Sequence, residues 1–227
     1  LHDALPIFKE VFVEMIRTWI AEVTPLLEES VYRKCYEKLP TFRKEKADRI
    51  VPKEDRALSV GAWLLYECVR KECGVSAETP FNLSHSGKMV LCSIEDSGEK
   101  EIKIGCDIEE IKKLHTKLIK RYFFKSEENF ILSKPSEEEK KVAFYRYWVL
   151  KESFMKATRY GMKMGLDTFE IMCDETGAKL LRQPKEICEQ FYFKEYETDL
   201  PYRVAVCSTS DVFAEKMEKM DLSIYWR

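Results

Sequence analysis

The chain has 227 residues, of which 45% are hydrophobic and 34% are charged, and its formal net charge is −2. This length suits one large domain or two domains of about 100 residues each, with enough apolar side chains for a core. The nearly neutral balance argues against a nucleic-acid-binding protein or a protein of the membrane surface, although a local basic cluster can still bind phosphate.

The first half of the chain predicts a strand, then helices, then further strands. Apolar residues recur at helical spacing between residues 55 and 73, and Gly74 follows as a helix-ending signal. The predicted strands cover residues 19–23, 81–83, 89–94 and 102–108, and shorter helices are predicted over residues 30–38 and 43–49. The polar residues SHSGK after residue 83 predict a turn.

The second half also places helices before strands. Helical patterns dominate residues 116–159, with a break near Pro135. Further strands are predicted over residues 168–173, 179–182, 191–197 and 202–207. The order of elements is therefore similar in the two halves, but no repeat of the residues themselves is visible.

The cysteines indicate a reducing cellular compartment and give no sign of a zinc site. None of the eight forms a C-x-x-C pair, and the three histidines are not spaced with them as zinc ligands. Most cysteines lie in apolar stretches such as MVLCSI and RVAVCS. We therefore expect buried free thiols and a cytoplasmic protein. The sequence contains no secretory signal and no apolar run of membrane-spanning length.

Two carboxylates lie at the end of a predicted apolar strand. The segment IGCDIEEI places Asp107 and Glu109 two residues apart, so both side chains point to the same face of the strand. Carboxylates on one face repel each other unless a cation lies between them, and Mg²⁺ prefers carboxylate oxygens. The pair is a candidate metal site, and the alternative is a solvated strand end.

A third carboxylate lies on a predicted helix. In YRYWVLKESFMKA, Trp148, Glu152 and Lys156 are spaced i, i+4 and i+8, so they lie along one row of the helix. Trp148 favours partial burial of this row, where an unpaired carboxylate would be costly. Glu152 can therefore complete a three-carboxylate site, and the alternative is a simple Glu–Lys pair on the helix surface.

Two groups of residues are candidates for binding phosphate. The predicted turn contains Ser84, His85, Ser86 and Lys88, whose hydroxyls, imidazole, ammonium and backbone N–H groups suit an anion. Hydrogen bonds within the turn are the alternative use of these groups. The cations Arg43, Lys46 and Arg56 form a basic cluster, for which the alternative is a solvated helix face.

Three blocks of sequence resemble one enzyme family when they are taken in order. They are FNLSHSGKMV, IGCDIEEI and YWVLKESFMKATRYGM. This ordered set resembles the Sfp-type 4′-phosphopantetheinyl transferases, whose pattern reads roughly F-N-[IL]-S-H-S, [IV]-G-x-D-[IL]-E and W-x-x-K-E-[SA]-x-x-K. Three ordered blocks are far more specific than any single one, and the likeness extends from about residue 19 to residue 209.

The resemblance implies an α+β (α/β) fold that is a pseudo-dimer of two similar subdomains. Each subdomain would be a small antiparallel sheet packed with helices, and coenzyme A would bind in the cleft between them. We expect residues 15–103 to form the amino-terminal half and residues 104–213 to form the carboxy-terminal half with the metal site. The two halves would act as a single functional unit.

The resemblance also implies a role for each candidate residue. The metal ligands would be Asp107, Glu109 and Glu152. Catalysis would use Glu152, which takes a proton from the acceptor serine, and Lys156, which stabilises the pyrophosphate charge. Contacts to coenzyme A phosphates would come from Ser84 and His85, and contacts to its 3′-phosphate from Arg43, Lys46 and Arg56.

One departure from the family pattern concerns the nucleotide pocket. Family members usually carry a strand and a G-K-P loop just before the first block. Here only the residues VSAETP separate Gly74 from Phe81, and no G-K-P occurs. The sequence therefore lacks the segment that normally supplies one wall of the pocket.

The function implied is transfer of 4′-phosphopantetheine from coenzyme A to a serine of an apo-carrier protein, with release of 3′,5′-ADP. The carrier would belong to fatty-acid, polyketide or nonribosomal-peptide synthesis, and would dock on residues 111–124. We expect Mg²⁺ or Mn²⁺ as the metal, a monomer, and no nucleic-acid or membrane partner. The alternatives are a Mg²⁺-dependent phosphohydrolase and a non-catalytic protein that binds coenzyme A or a carrier.

Overall fold

The computed structural model describes residues 15–96 and 101–227, without the side chain of Met162. The strands are β1 (Ile16–Glu22), β2 (Phe81–Ser86), β3 (Met89–Glu95), β4 (Ile104–Glu110), β5 (Glu170–Asp174), β6 (Gly177–Arg182), β7 (Tyr192–Tyr196), β8 (Tyr202–Ser208) and β9 (Glu218–Lys219). The helices are α1 (Glu29–Glu37), α2 (Thr41–Asp48), α3 (Lys53–Cys73), α4 (Thr116–Tyr122), α5 (Lys125–Leu132) and α6 (Glu137–Thr158). Short 3₁₀ turns cover Thr24–Leu27, Gly161–Lys163, Leu166–Thr168 and Leu222–Tyr225.

The strands form two main sheets and a hairpin. The first sheet has the order β2-β3-β1-β9, the second has the order β4-β8-β7, and β5 pairs with β6. The pairs are antiparallel except for β1 with β9, which run parallel. Apart from β9, each main sheet has three strands. The central one, β3 or β8, is the last strand of its half in sequence. The order strand, helices, hairpin therefore occurs twice.

Alternation along the strands places two different apolar faces in two cores. On β1, Trp19 packs with α3 residues such as Leu65, whereas Ile20 packs with Ile108 of β4 and Val204 of β8. Successive side chains of a strand point to opposite faces, so one strand can contribute to both cores. The first sheet thus contacts α3 on one face and the second sheet on the other.

The second sheet packs against α6 in a third core. Leu150 and Phe154 of α6 are buried there together with Ala205 and Cys207 of β8. The expected α+β fold, with sheets packed against helices, is confirmed in this form. None of the helices in the described ranges combines the length and apolar character needed to cross a membrane.

The two long helices begin and end at recognisable signals. Gly74 follows α3 with φ of 66°, a left-handed conformation that glycine adopts without strain. Ser136 precedes α6, and its side chain accepts a hydrogen bond from the backbone N–H of Glu139. The break predicted near Pro135 therefore corresponds to the gap between α5 and α6.

The segment after β8 returns to the first half of the chain. β9 pairs with β1, and Leu222 is buried among residues of the first core. The hydroxyl of Tyr225 donates to the carbonyl of Leu64 on α3 at 3.4 Å. The end of the chain therefore links the two halves.

The turn predicted after residue 83 is wrong in its extent. Strand β2 continues through Ser84 and His85 to Ser86, which pairs with Met89 of β3. The turn is confined to Gly87 and Lys88, and Gly87 has φ of 58°. A hairpin with so short a loop needs a left-handed residue, and glycine supplies it, so the polar residues before it remain in the strand.

Candidate functional site

Strand β4 lies directly against the backbone of α6. A Cβ added to Gly105 would be 2.0 Å from the carbonyl oxygen of Ser153 and 2.3 Å from the backbone nitrogen of Ala157. Only a residue without a side chain permits this approach. It places Asp107, two residues further along β4 on the same face, beside Lys156 of α6.

Asp107 is where the three sequence blocks meet. Its Oδ1 accepts hydrogen bonds from Ser84 Oγ of β2 at 2.8 Å and from Lys156 Nζ of α6 at 2.7 Å. Lys156 Nζ also donates to Ser84 Oγ at 2.9 Å and to the carbonyl of Cys106 at 3.0 Å. The side chain of Asp107 is only 5% exposed, so these bonds are strengthened by low local polarity. Side chains from β2, β4 and α6 thus form one hydrogen-bonded cluster.

The charge of Asp107 affects the pKa values of the other two candidate carboxylates, Glu109 and Glu152. Desolvation, the neighbouring Asp107 and Glu152 raise the pKa of Glu109 to about 7, against the lowering effects of Ser86 and Lys156. Desolvation and Asp107 likewise raise the pKa of Glu152 above its ordinary value. Both shifts mean that the ionised forms are disfavoured in the protein as it stands.

These carboxylates offer the right chemistry for a divalent cation without forming a finished cage. Within residues 15–96 and 101–227, no three acidic, histidine or cysteine side chains converge as a ready metal site. However, Asp107 Oδ2 is buried and has no hydrogen-bond partner among the described residues. An orphaned buried carboxylate oxygen is costly, and a cation would relieve both it and the repulsion among the three acids. The donor set therefore fits Mg²⁺ or Mn²⁺, which prefer oxygen ligands.

Lys156 is held as a cation inside this cluster. Burial alone would lower its pKa, but Asp107, Cys106 and Glu152 together outweigh that effect, and the pKa of Lys156 is raised. Its ammonium has three protons, and it donates to Ser84, Cys106 and Asp107. Ser84 is also fully engaged, because its hydroxyl donates to Asp107 and accepts from Lys156 and the Ile108 N–H. Neither group is free to bind a ligand without giving up one of these bonds.

His85 lies near the end of β2, where charges from other elements act on its pKa. Although the imidazole of His85 is exposed, the surrounding protein desolvates it and lowers its pKa. The charges of Lys156 and Lys46 lower this pKa further, and Asp55 opposes them. Cations from α2 and α6 therefore lie near the end of β2, as an anionic ligand would require.

Arg43 and Arg56 are placed differently from Lys46. The guanidinium of Arg43 is buried, donates to the carbonyl of Ser59 at 2.9 Å and lies over the Trp63 ring. Arg43 thus joins α2 to α3 and is not presented to solvent. Arg56 is half-buried, with its guanidinium over the Tyr32 ring. Of the three cations in the predicted basic cluster, Lys46 is near enough for its charge to affect the pKa of His85, and Arg43 is turned inward.

Two further polar interactions were not anticipated from the sequence. Ser86 Oγ donates to Glu109 Oε2 at 2.8 Å. Lys151, next to Glu152 on α6, forms an ion pair with Glu127 of α5 at 3.0 Å, and both side chains are 0% exposed. The alternation N-x-S-x-S in FNLSHS was a usable signal for Ser86, because it places three polar side chains on one face of a strand. For the Lys151–Glu127 pair the sequence carries no comparable signal.

Comparison with known proteins agrees with the motif analysis. Residues 103–207 match the 4′-phosphopantetheinyl transferase superfamily. The chain is 35% identical over 135 residues to 4′-phosphopantetheinyl transferase Sfp of Bacillus subtilis, covering 60% of this chain and 57% of that protein. It is 36% identical over 107 residues to 4′-phosphopantetheinyl transferase HetI of Nostoc, covering 46% of this chain and 43% of that protein. These matches confirm the resemblance to Sfp-type transferases.

The matches are partial in length. The chain spans little more than half of the Bacillus protein and less than half of the Nostoc protein. A crystal structure of Thermotoga maritima holo-[acyl-carrier-protein] synthase matches 47% of this chain and 61% of that one, with a TM-score of 0.41 and 18% identity. That structural likeness is too low to support a conclusion about the fold.

Proposed function

Because residues 103–207 belong to the 4′-phosphopantetheinyl transferase superfamily, we propose that this protein transfers 4′-phosphopantetheine from coenzyme A to a serine of an apo-carrier protein. The observation that carries the proposal is the convergence on Asp107. Ser84, Asp107 and Lys156 come from three blocks of sequence far apart in the chain, and they hydrogen-bond to one another. A surface carboxylate or a surface Glu–Lys pair would have no reason to join all three.

In this proposal Asp107, Glu109 and Glu152 hold the metal. The support is the unpartnered Oδ2 of Asp107 and the raised pKa values of the two glutamates. A bound Mg²⁺ would supply positive charge that offsets the negative charge on the pyrophosphate of coenzyme A. Mn²⁺ fits the same donors.

Glu152 is the proposed proton acceptor. The carrier serine Oγ forms a bond to the phosphorus of the phosphopantetheine group, and the bond from that phosphorus to the oxygen of 3′,5′-ADP breaks. The hydroxyl proton passes to the Glu152 carboxylate. The carboxylate must be ionised to accept this proton, and a cation bound beside it would favour the ionised form.

Lys156 has a positioning and an electrostatic role in this proposal. Its bonds to Asp107 and to the Cys106 carbonyl hold β4 against α6. With its pKa raised, it keeps its positive charge at neutral pH, beside the place where the pyrophosphate would lie. Fixed positive charge that need not reorganise during the reaction lowers the barrier to a transition state with extra negative charge.

The phosphate groups of coenzyme A would meet Lys46 and His85. The charge of Lys46 is near enough to lower the pKa of His85, which supports a contact of both residues with one anionic ligand. Arg56 is a weaker candidate because it lies over Tyr32, and the burial of Arg43 disfavours it as a direct ligand. Ser84 would reach a phosphate only by exchanging a bond within the Asp107 cluster.

The carrier protein would dock on residues 111–124, which include α4. Several side chains of this segment are exposed and basic, so it suits an acidic partner surface. They are Lys112, Lys113, Lys117, Lys120 and Arg121. We further propose that residues 15–103 and 104–213 are two similar halves, supported by the repeated order of strand, helices and hairpin. Within this proposal the protein is cytoplasmic and monomeric.

The test is incubation of the protein with coenzyme A, Mg²⁺ and a panel of apo-carrier domains, read by intact mass. Transfer adds the mass of phosphopantetheine to a carrier and releases 3′,5′-ADP. A phosphohydrolase would release free phosphopantetheine without a carrier. A binding protein would leave every mass unchanged, and either of these outcomes would contradict the proposal.

A further inference from the structure

The edges of the two main sheets meet through side chains instead of backbone hydrogen bonds. Strand β2 ends the first sheet and β4 ends the second. Asn82 Oδ1 accepts from the Cys106 N–H at 3.0 Å. Ser84 Oγ accepts from the Ile108 N–H at 3.4 Å, and Ser86 Oγ accepts from the Glu110 N–H at 3.1 Å. Three alternate residues of β2 thus bond three alternate residues of β4.

This arrangement follows from the geometry of an edge strand. β4 pairs with β8 on one side, so every second N–H of β4 points to its free edge. Buried N–H groups must find an acceptor, and an open edge otherwise invites pairing with another chain. The N-x-S-x-S alternation of β2 supplies one side-chain acceptor for each free N–H.

Ser86 does more than its neighbour Asn82 in this series. Besides accepting from the Glu110 N–H, its hydroxyl donates to Glu109 Oε2 at 2.8 Å. No other described side chain hydrogen-bonds to the Glu109 carboxylate. Asn82 accepts from Cys106 and touches no carboxylate. One hydroxyl therefore fixes the Glu109 side chain relative to the backbone of the strand that carries it.

We propose that Ser86 is a positioning residue for Glu109, which sets how well the carboxylates on β4 and α6 bind a divalent cation. The inference rests on the proposed function, because it takes Glu109 to be a metal ligand. A half-buried glutamate has several rotamers, and a fixed hydrogen bond reduces the entropy lost when the carboxylate binds a cation. Groups that orient metal ligands typically change metal affinity by about 10- to 100-fold when removed.

The experiment measures Mn²⁺ binding to the full chain by electron paramagnetic resonance, which needs neither coenzyme A nor a carrier. We expect Ser86→Ala to raise the Kd for Mn²⁺ at least about 10-fold. Ser86→Thr keeps a hydroxyl and should restore the Kd to within about 3-fold of the wild-type value. Asn82→Ala is the matched control, since it also removes an acceptor from a β4 N–H; it should lower the thermal unfolding midpoint as Ser86→Ala does and leave the Kd unchanged.

The outcomes separate this inference from the proposed function. A Kd for Ser86→Ala within twofold of wild type, or an equal rise for Asn82→Ala, would overturn the positioning role even if carrier transfer is observed. Absence of Mn²⁺ binding by the wild-type protein would overturn it as well. The expected Kd series together with no transfer to any carrier would leave the positioning role standing and contradict the transferase proposal.

Discussion

Helix α6 carries two lysines, Lys151 and Lys156, and each pairs with a carboxylate from another element. The two pairs differ in whether a buried polar atom is left without a hydrogen-bond partner. Lys151 donates to Glu127 and to the carbonyls of Leu166 and Phe169. The Glu127 oxygens also accept from the backbone N–H groups of Phe124 and Ile171. Every polar atom of this pair that is expected to bond has a partner, and both side chains are fully buried.

The second pair, Lys156 with Asp107, is not fully hydrogen-bonded. Lys156 is fully bonded, but Asp107 keeps one buried oxygen without a partner among the described residues. Two further acids, Glu109 and Glu152, have raised pKa values beside it. A satisfied buried ion pair stabilises a specific packing, whereas a deficit of positive charge at a partly open site indicates a place for a ligand. The first pair is therefore expected to stabilise the fold, and the second to take part in ligand binding and catalysis.

The largest effect is expected from removing the cation of the satisfied pair. Lys151→Met should lower the free energy of unfolding by about 3–5 kcal/mol, because Glu127 remains buried without its partner. Desolvation already raises the pKa of Glu127, so the loss should shrink at low pH, where Glu127 is protonated. Denaturant unfolding at pH 8 and pH 5 measures this. The double variant Lys151→Met/Glu127→Gln should recover part of the loss, and a single variant within 1 kcal/mol of wild type would contradict the structural role.

The same substitution at Lys156 should show its main effect in the rate of transfer, together with a loss of stability because Asp107 is left buried without its partner. Lys156→Met should lower kcat for carrier modification at least about 100-fold, the scale of one acid–base or electrostatic group. Coenzyme A affinity should change by less than about threefold, because the charge acts mainly on the transition state. A time course of carrier mass beside a coenzyme A titration measures both. An unchanged kcat would remove the distinction between the two pairs.

Substitutions of two lysines on α2, Lys46 and Lys44, test which of them contacts coenzyme A. Lys46→Ala should weaken coenzyme A binding about tenfold, since a hydrogen bond to a charged group contributes about 1.5–3 kcal/mol. Dephospho-coenzyme A should bind equally to variant and wild type. Lys44→Ala is the control, because Lys44 Nζ donates to the Glu37 carbonyl and lies over Tyr36, towards α1. Calorimetric titration that finds Lys44 and Lys46 equivalent would argue against a 3′-phosphate contact by Lys46.

The smallest effect concerns the pH dependence of stability without metal. The pKa of Glu109 is raised to about 7 from an ordinary value of 4.5, so the fold loses stability as the pH rises from 4.5 to about 7, and the loss is complete above that. Glu109→Gln should therefore be more stable than wild type at pH 8 by about 1 kcal/mol, a value reduced by partial exposure. The difference should vanish well below pH 4.5, where Glu109 is neutral in both the folded and the unfolded state. Unfolding in a chelator measures it, and saturating Mg²⁺ should abolish the difference at pH 8.

Relations within one element were accessible from the sequence. Spacing alone predicted that Asp107 and Glu109 share a strand face and that Glu152 and Lys156 share a helix row. The ordered motifs predicted the resemblance to Sfp-type transferases that the matches confirm, and the predicted elements agree closely with the observed strands and helices. These features are local, because strand and helix periodicity determines them without reference to the rest of the chain.

Relations between elements were decided by the tertiary structure. Sequence alone could not predict that Ser84 and Lys156, which lie 23 and 49 residues from Asp107, would bond the same carboxylate oxygen. It also predicted Arg43 as a phosphate ligand, although Arg43 packs inward against Trp63. Lys151 and Glu152 are neighbours in sequence, yet one faces a buried glutamate and the other faces the site. Adjacent positions on a helix differ by about 100° in direction, and only the packing of α6 between β4 and α5 determines which direction leads to the core.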